Sequence, residues 1–504
     1  MAASSSEEML LWAGVSAASI ALMVVLGLGV GMSRMSAFVD KLEKKMDARV
    51  ESRLGRLARA EGGLIACITG ANAGIGLELA TRLAVCGVHV VMLCRSEKRG
   101  KEAVAVVRSA CLAETGMAPA APVQLVQCDV SEPAAVRACA AALAAALPRI
   151  DLLYLNAGTM PVEGYNWASL IRAATTDQPL LGGPPEGGIT HFFETGRGSA
   201  TGEHFLVNPR WAREPSADHA GAPHLLATHV LGHVLLVELC AKNGLIGRGR
   251  VPELGADSKP AALERSDALS DAPWLASPPK LSRAPSFPEG APCDPDLWLR
   301  PDSGCGGGGA RVVWTSSRAA NLTTDVASLR PEGLACAPEA EAARAALDAY
   351  GEAKFLQDAL CHNMQRRLRE GLPASAAGAR EGSFSGTGDG APTGPAPDAC
   401  VTAVCPGFVA TALTPWFMQL GLPFLELVRP SVCGQQLTAR RGISPHLAVA
   451  IAAPSVTVPG RKLVVHRGML TAAANGQRAA TEEEQQAATE VCDEWLARWS
   501  SWGR

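Results

Sequence analysis

Two hydrophobic rhythms run through this chain. From Gly62 onward, short apolar runs recur at Leu64–Thr69, Val88–Cys94, Val123–Cys128, Leu152–Asn156, Val312–Thr315, Val401–Cys405 and Lys462–His466. Between them lie longer stretches with apolar residues at helical spacing, among them Ile75–Val85, Pro133–Leu147, Pro223–Ala241 and Glu339–Arg369. Strand–helix alternation of this kind predicts a doubly wound parallel sheet, an α/β fold of Rossmann type. Its strands read as continuous apolar runs because helices cover both faces of such a sheet.

The N-terminal pattern is different. Met9–Met32 carries no charged residue. Its length of about 24 residues gives roughly 36 Å of helix, enough for a ~30 Å hydrocarbon core, and predicts an N-terminal transmembrane helix. Only Glu7 and Glu8 bear charge ahead of it, whereas Arg34, Lys41, Lys44, Lys45, Arg49, Arg53, Arg56 and Arg59 follow. A cleaved signal peptide has the opposite polarity, and basic flanks stay on the cytoplasmic side. Met35, Val39, Leu42, Met46, Val50, Leu54 and Leu57 recur at helical spacing among those charges. They predict a basic amphipathic stem lying near anionic headgroups.

Three stretches interrupt the α/β rhythm: 182–218, 248–309 and 375–398, rich in Gly, Pro and small polar residues. They read as long low-complexity insertions without a fold of their own. The expected layout is an anchor over 1–33, a stem over 34–61, an α/β unit over 62–470 and a C-terminal helix over 471–504. Within Thr481–Trp499 that last helix is acidic and amphipathic. Leu413–Pro430 is largely apolar but broken by Pro415, Pro423 and Glu426.

Composition narrows the function. The 504 residues are 48% apolar, enough for a full core. A formal net charge of -3 supplies no basic field for nucleic acid. The 15 cysteines are odd in number and contain no CxxC pair, which argues for a reducing compartment and against a disulfide framework or a zinc site.

TGANAGIG (Thr69–Gly76) ends one strand and opens a helix, the context a dinucleotide-binding turn requires. Gly70 permits the tight turn, Asn72 lies in it, Gly74 lets the backbone approach a pyrophosphate, and Ile75–Gly76 begins the helix. Gly76 also allows that helix to pack closely on the strand. The helix N-terminus directs its dipole at the phosphates. After the second strand an NAD site would carry an acid; here Cys94–Arg95 stands, with Lys98 and Arg99 on the next turn. Arg95 can grip a 2′-phosphate, which favours NADPH/NADP+, although an ordinary solvated arginine fits the same position. Asp129 can accept from the adenine amino group. Asn156, Ala157 and Gly158 bring backbone near the adenine ribose. Asp151 reads as a polar cap.

Carbonyl reduction also needs a proton donor. YGEAK (Tyr350–Lys354) places a phenol and an ammonium one helical turn apart. A phenol titrates near ~10, and nearby cations favour its phenolate. Ser317, or else Ser316, in TSS (Thr315–Ser317) can hold the carbonyl oxygen.

These strings resemble the short-chain dehydrogenase/reductase family in its TGxxxGIG, NAG, Ser and YxxxK pattern, over roughly residues 62–468. The resemblance implies that Ser317, Tyr350 and Lys354 are catalytic and that Tyr350 and Lys354 also touch the cofactor. CPGFVAT (Cys405–Thr411) matches the family's PG motif, so Pro406, Gly407 and Thr411 border the nicotinamide and its phosphates. YLNAGTMP, THVLGH and VVWTSSRAA are further similar to the 3-keto-steroid reductase (17β-hydroxysteroid dehydrogenase type 7) group. That likeness implies NADPH-dependent reduction of a sterol C3 ketone at the endoplasmic reticulum, with the catalytic part cytoplasmic. The partners it implies are a sterol or other lipid ketone, the membrane, other enzymes of sterol C4-demethylation and a second copy of the chain as a homodimer. Leu413–Pro430 falls where the family forms its substrate lid. Where the family carries Asn in the helix before the serine, this chain has His229, either a member of the proton relay or a core histidine. Two other readings share these motifs: a retinol dehydrogenase-like or other lipid carbonyl reductase, and a catalytically silent membrane scaffold.

Overall fold

The computed structural model describes residues 41, 44–59, 63–165, 205–207, 221–246, 309–317, 320, 324–331, 342–370, 399–407, 409, 438–452, 462–466, 469–472 and 480–501. The Met9–Met32 anchor, Thr411 and the apolar Leu413–Pro430 stretch lie outside the described residues, as do nearly all of the three insertions.

A helix over 44–59 (α1) comes first. The chain then alternates through β1 (Ile65–Thr69), α2 (Gly74–Val85), β2 (His89–Cys94), α3 (Glu97–Thr115), β3 (Val123–Gln127), α4 (Pro133–Ala146) and β4 (Leu152–Leu155). Strands β5 (Val162–Tyr165) and β6 (Phe205–Val207) pair antiparallel as a separate two-stranded unit. Helix α5 (His224–Lys242) follows, then β7 (Arg311–Thr315), α6 (Ala342–Glu370) and β8 (Cys400–Val404). The last elements are α7 (Ala439–Gly442), α8 (Ser444–Ile451), β9 (Lys462–His466), β10 (Met469–Ala472) and α9 (Glu482–Ser501).

The main sheet has the order β10-β9-β8-β7-β4-β1-β2-β3. Every neighbour is parallel except the β9–β10 edge pair. The order reverses between β1 and β4, the position at which an open α/β sheet leaves a crevice at its carboxyl ends. Successive residues of one strand serve opposite cores, as the pleat requires. Ile65 and Cys67 join α4, α5, α6 and α9 on one face. Ala66 and Ile68 join α1, α2, α3 and α8 on the other.

Two expectations are corrected here. The apolar stripe of the basic stem does not face lipid: Met46, Val50, Leu54 and Leu57 are buried in the core beside α2. Its acids also turn inward. Glu51 pairs with Arg82 at 2.7 Å and with Arg440 at 2.6 Å, and Ser444 Oγ donates to Asp47 at 2.9 Å. The core offers this stripe a drier surface than headgroups do. Lys44, Lys45, Arg49, Arg56 and Arg59 remain exposed. The second correction concerns the 182–218 insertion: it contributes β6, which has regular strand pairing.

Helix α5 is the one described helix long and apolar enough to cross a membrane, yet most of it is buried within the fold. Leu231, Leu236 and Cys240 make it a core helix against α4 and α6. Helix α9 likewise closes over α6, with Trp495 and Trp499 inside. The described cysteines are all buried thiols, none in a disulfide.

Candidate functional site

The glycine-rich turn is built by close backbone approach. Gly70 adopts φ 66°, and a Cβ there would lie 2.9 Å from Ala157 Cα. A Cβ on Gly76 would meet the Gly70 carbonyl oxygen at 2.4 Å and Asn156 Nδ2 at 2.6 Å. Gly74 opens α2 with φ 56°. Only residues without side chains fit such contacts. The N-cap of α2 is Ala73, which offers no side-chain cap, and the first turn of the helix holds no acid. Its first amides and the positive end of its dipole are therefore suited to an anion. Asn72 and Ile75 flank this opening within the turn and first helical residues.

Thr69 ties the turn to the next strand. Its hydroxyl accepts from the amides of Asn156 at 2.8 Å and Ala157 at 2.9 Å. Asn156 Nδ2 returns a bond to the Thr69 carbonyl at 3.1 Å. These contacts set Asn156, Ala157 and Gly158 at the carboxyl end of β4. Asp151 lies at the other end of that strand, accepting from Ile65 N at 2.9 Å and Arg149 Nε at 2.8 Å. It is a brace and takes no part in the site, in keeping with the cap reading.

Arg95 sits just past β2 with its side chain 69% exposed, 3.8 Å from Asp129. So open a pair costs little to separate, and its guanidinium is accessible. Asp129 is oriented by Ser131, whose amide and hydroxyl donate to Oδ1 at 2.9 and 2.6 Å. Pro406 and Gly407 (φ 78°) follow β8.

Ser317, Tyr350, Lys354 and His229 come together beyond β7. The Tyr350 hydroxyl is hydrogen-bonded to the Ser317 side chain. Ser316 Oγ instead is buried and finds no partner among the described residues, so Ser317 is the serine that engages the phenol. Burial pushes the Tyr350 phenol up to about 12, against the pull of the Ser317 bond, with the Cys405 thiol adding to the rise. The expected lowering by Lys354 is thus not what governs this phenol. The ammonium is itself weakened: burial brings Lys354 down to about 7, opposed by Asp358. Its Nζ donates to the Thr315 carbonyl at 2.9 Å and lies 5.8 Å from the Tyr350 ring centroid.

His229 falls within a π-helical turn, Ala227–Leu231. Such turns free carbonyls from the regular ladder. The His229 carbonyl accepts from Gln357 Nε2 at 2.8 Å. Its ring meets Tyr350 edge-on, with centroids 5.5 Å apart, and Nε2 lies 2.7 Å from the Thr159 carbonyl. A Cβ on Gly158 would strike the ring at 2.5 Å. Burial, then Lys354, holds His229 well below the usual histidine range, so it is neutral. It belongs to the site, as a packed neutral ring beside the phenol.

Sequence reasoning missed several supporting residues. Gln357 and His233 brace the π turn, and Thr315 links Asn156 to His446. Gln357 lies one turn beyond Lys354 on the same helix, a spacing that could have been noticed. His446 carries no motif at all.

Residues 64–175 match the family model described as short chain dehydrogenase. The human 3-keto-steroid reductase/17-beta-hydroxysteroid dehydrogenase 7 is 30% identical over 176 residues, covering 34% of this chain and 43% of that protein. Human dehydrogenase/reductase SDR family member 13 is 41% identical over 96 residues, 19% and 24% of the two chains. The chain thus spans less than half the length of these relatives. A short-chain type dehydrogenase/reductase from Mycobacterium marinum aligns with TM-score 0.38 and 15% identity, covering 81% of this chain and 95% of that one.

Acid should weaken the site's histidine framework. Burial pulls both His233 and His446 down to about 4 from an ordinary 6.5. The unfolded chain therefore binds protons first as pH falls, so stability is intact above about 6.5 and is lost toward 4. His233→Gln, which keeps a partner for Thr69, is expected to flatten that loss in denaturant titrations at neutral and mildly acidic pH. An unchanged pH dependence in the variant would refute it. The glycine cradle and the Ser317–Tyr350–Lys354 cluster thus stand in a chain whose residues 64–175 match the family model described as short chain dehydrogenase.

Proposed function

We propose that this protein is a membrane-anchored, NADPH-dependent reductase that converts the 3-keto group of sterol intermediates to the 3β-hydroxyl. The observation that carries the reading is the Tyr350 hydroxyl bonded to Ser317, one helical turn from buried Lys354. Ser317 holds the substrate carbonyl oxygen and Tyr350 delivers the proton to it. Lys354 keeps positive charge near the phenol and binds the cofactor's ribose side. His229 packs against Tyr350 and fixes its ring. The cradle of Gly70, Asn72, Gly74, Ile75 and Gly76 fits a pyrophosphate, because a side chain at Gly70 or Gly76 would close it. Arg95, Asp129, Asn156, Ala157, Gly158, Pro406, Gly407 and Thr411 complete the proposed cofactor set. When bound, the nicotinamide supplies the hydride. The sterol assignment draws on the likeness to a relative named as a 3-keto-steroid reductase and on the apolar character of Leu413–Pro430. A rigid apolar ligand with one reacting oxygen suits a site whose few polar groups stand together at the reacting end.

The test is kcat/KM of detergent-solubilised full chain with NADPH, comparing a 4-methylated 3-oxo sterol with all-trans-retinal. The sterol is expected to win, and Tyr350→Phe to cut turnover by about 10²–10⁴ while NADPH still binds. Preference for retinal would replace the sterol reading with a retinol dehydrogenase-like one. Near-normal turnover by Tyr350→Phe would remove the proton-donor assignment.

Cofactor preference rests on Arg95. Loss of a charge-assisted contact costs about 1.5–3 kcal/mol, roughly ten- to a hundred-fold in affinity. Arg95→Asp is expected to abolish a preference for NADPH over NADH. Equal affinity of the unmodified protein for both dinucleotides would overturn the assignment.

The membrane reading rests on uncharged Met9–Met32 and the basic residues after it. The basic flank favours the cytoplasmic side for the domain, and the likeness to the sterol reductase group implies the endoplasmic reticulum as the membrane. Removing residues 1–32 leaves the exposed cations of α1, so the truncated protein is expected to leave membranes in high salt. Attachment that survives alkaline carbonate in the truncated form would mean that another segment spans the bilayer.

A further inference from the structure

A second buried ion pair stands behind the proposed catalytic cluster. Lys462, on β9, places its Nζ 2.8 Å from Asp358 Oδ2, with both side chains largely buried, at 6% and 13% exposure. The same ammonium donates to the Ser317 carbonyl. Asp358 lies one helical turn beyond Lys354 on α6, and its Oδ1 is buried with no hydrogen bond among the described residues. An ion pair kept this dry is poor value as a stabilising device, since burying both charges offsets most of their attraction. Its ammonium instead reaches the Ser317 backbone, and its carboxylate stands one turn along α6 from Lys354.

We propose that Asp358 and Lys462 act as a positioning pair, Lys462 holding the Ser317 backbone in place and Asp358 anchoring Lys462 while keeping a carboxylate one helical turn from Lys354. The inference rests on the reductase reading of Ser317, Tyr350 and Lys354. Several groups face the Lys354 ammonium. Asp358 and Tyr350 come from its own helix, Lys462 from β9, Cys405 from the end of β8, His229 from the π turn and His233 from the α-helical part of α5 that follows it. Both histidines are held neutral by burial, and Asp358 favours the ammonium while Lys462 opposes it. Removing either member of the pair therefore shifts Lys354 in a different direction.

The experiment reads the titration of Lys354 without requiring turnover. Full-length protein is labelled with trace acetic anhydride over a pH series, and acetylation of the Lys354 peptide is followed by mass spectrometry. Asp358→Asn is expected to lower the Lys354 midpoint by about one unit or more, and Lys462→Met to raise it comparably. Lys462→Arg retains the cation and should leave the midpoint near that of the unmodified protein. The alkaline limb of kcat/KM for NADPH-dependent ketone reduction should move with the same signs. A packing role would move neither midpoint. Shifts that are absent, or of one sign in both variants, overturn the proposal. Should Asp358→Asn fail to fold, Lys462→Met against Lys462→Arg decides alone: a rise confined to Met supports the pair, and no rise refutes it. Midpoints that shift as expected in a protein that reduces no ketone would keep the pair and reject the reductase reading.

Discussion

Close approach of backbone at the carboxyl ends of β1 and β4 is the constraint from which the site is built. Gly70 lies against Ala157, and Gly76 lies against the Gly70 carbonyl. That contact brings the first turn of α2 and the loop after β4 into one concave surface. The Thr69 hydroxyl then locks the two ends with four polar contacts, one of them to His233 at 3.0 Å. Through His233 the lock reaches the π turn, and through the π turn it reaches Tyr350. A methyl group on either glycine would be felt along that whole route, because tightly packed interiors relax poorly.

Much of this was legible in the chain. The seven parallel strands lie where the apolar runs predicted, because strands covered on both faces are built largely of apolar residues; the edge strand β3, with Gln124 and Gln127 exposed, is the most polar of the first three. The cradle was legible because a turn that excludes Cβ leaves glycine as its signature. The Tyr350–Lys354 spacing was legible because one helical turn puts both on one face. Other features could not be read. A stripe such as Met46, Val50, Leu54 and Leu57 says that a helix has an apolar face, not which apolar surface covers it. The π turn at Ala227–Leu231 has no composition of its own. The pairing of β6 with β5 joins residues across an insertion whose composition gives no register. The phenol's titration depends on burial that only the assembled fold supplies.

The interior charge pattern is unusual for its economy. His229, His233 and His446 are neutral rings used for shape and hydrogen bonding. Three of the buried cations, Lys354, Lys462 and Arg311, are each tied to a backbone carbonyl, of Thr315, Ser317 and Ala452 respectively. Backbone carbonyls carry a fixed partial negative charge and cannot be titrated away, so they hold cations without themselves becoming a pH-dependent weak point.

Helix α1 is made early and held late. Its contacts to Arg440 and Ser444 join residues 389 and 397 positions apart. While the chain is being synthesised, the buried stripe of α1 can meet α2 almost at once, but its polar clamp must wait for residues near the far end of the α/β unit. Loop closure over such a span is slow relative to local helix formation. During that interval an apolar stripe flanked by cations stands only partly covered. The order of manufacture thus gives the nascent protein a sticky, positively charged leading segment that the finished protein largely conceals.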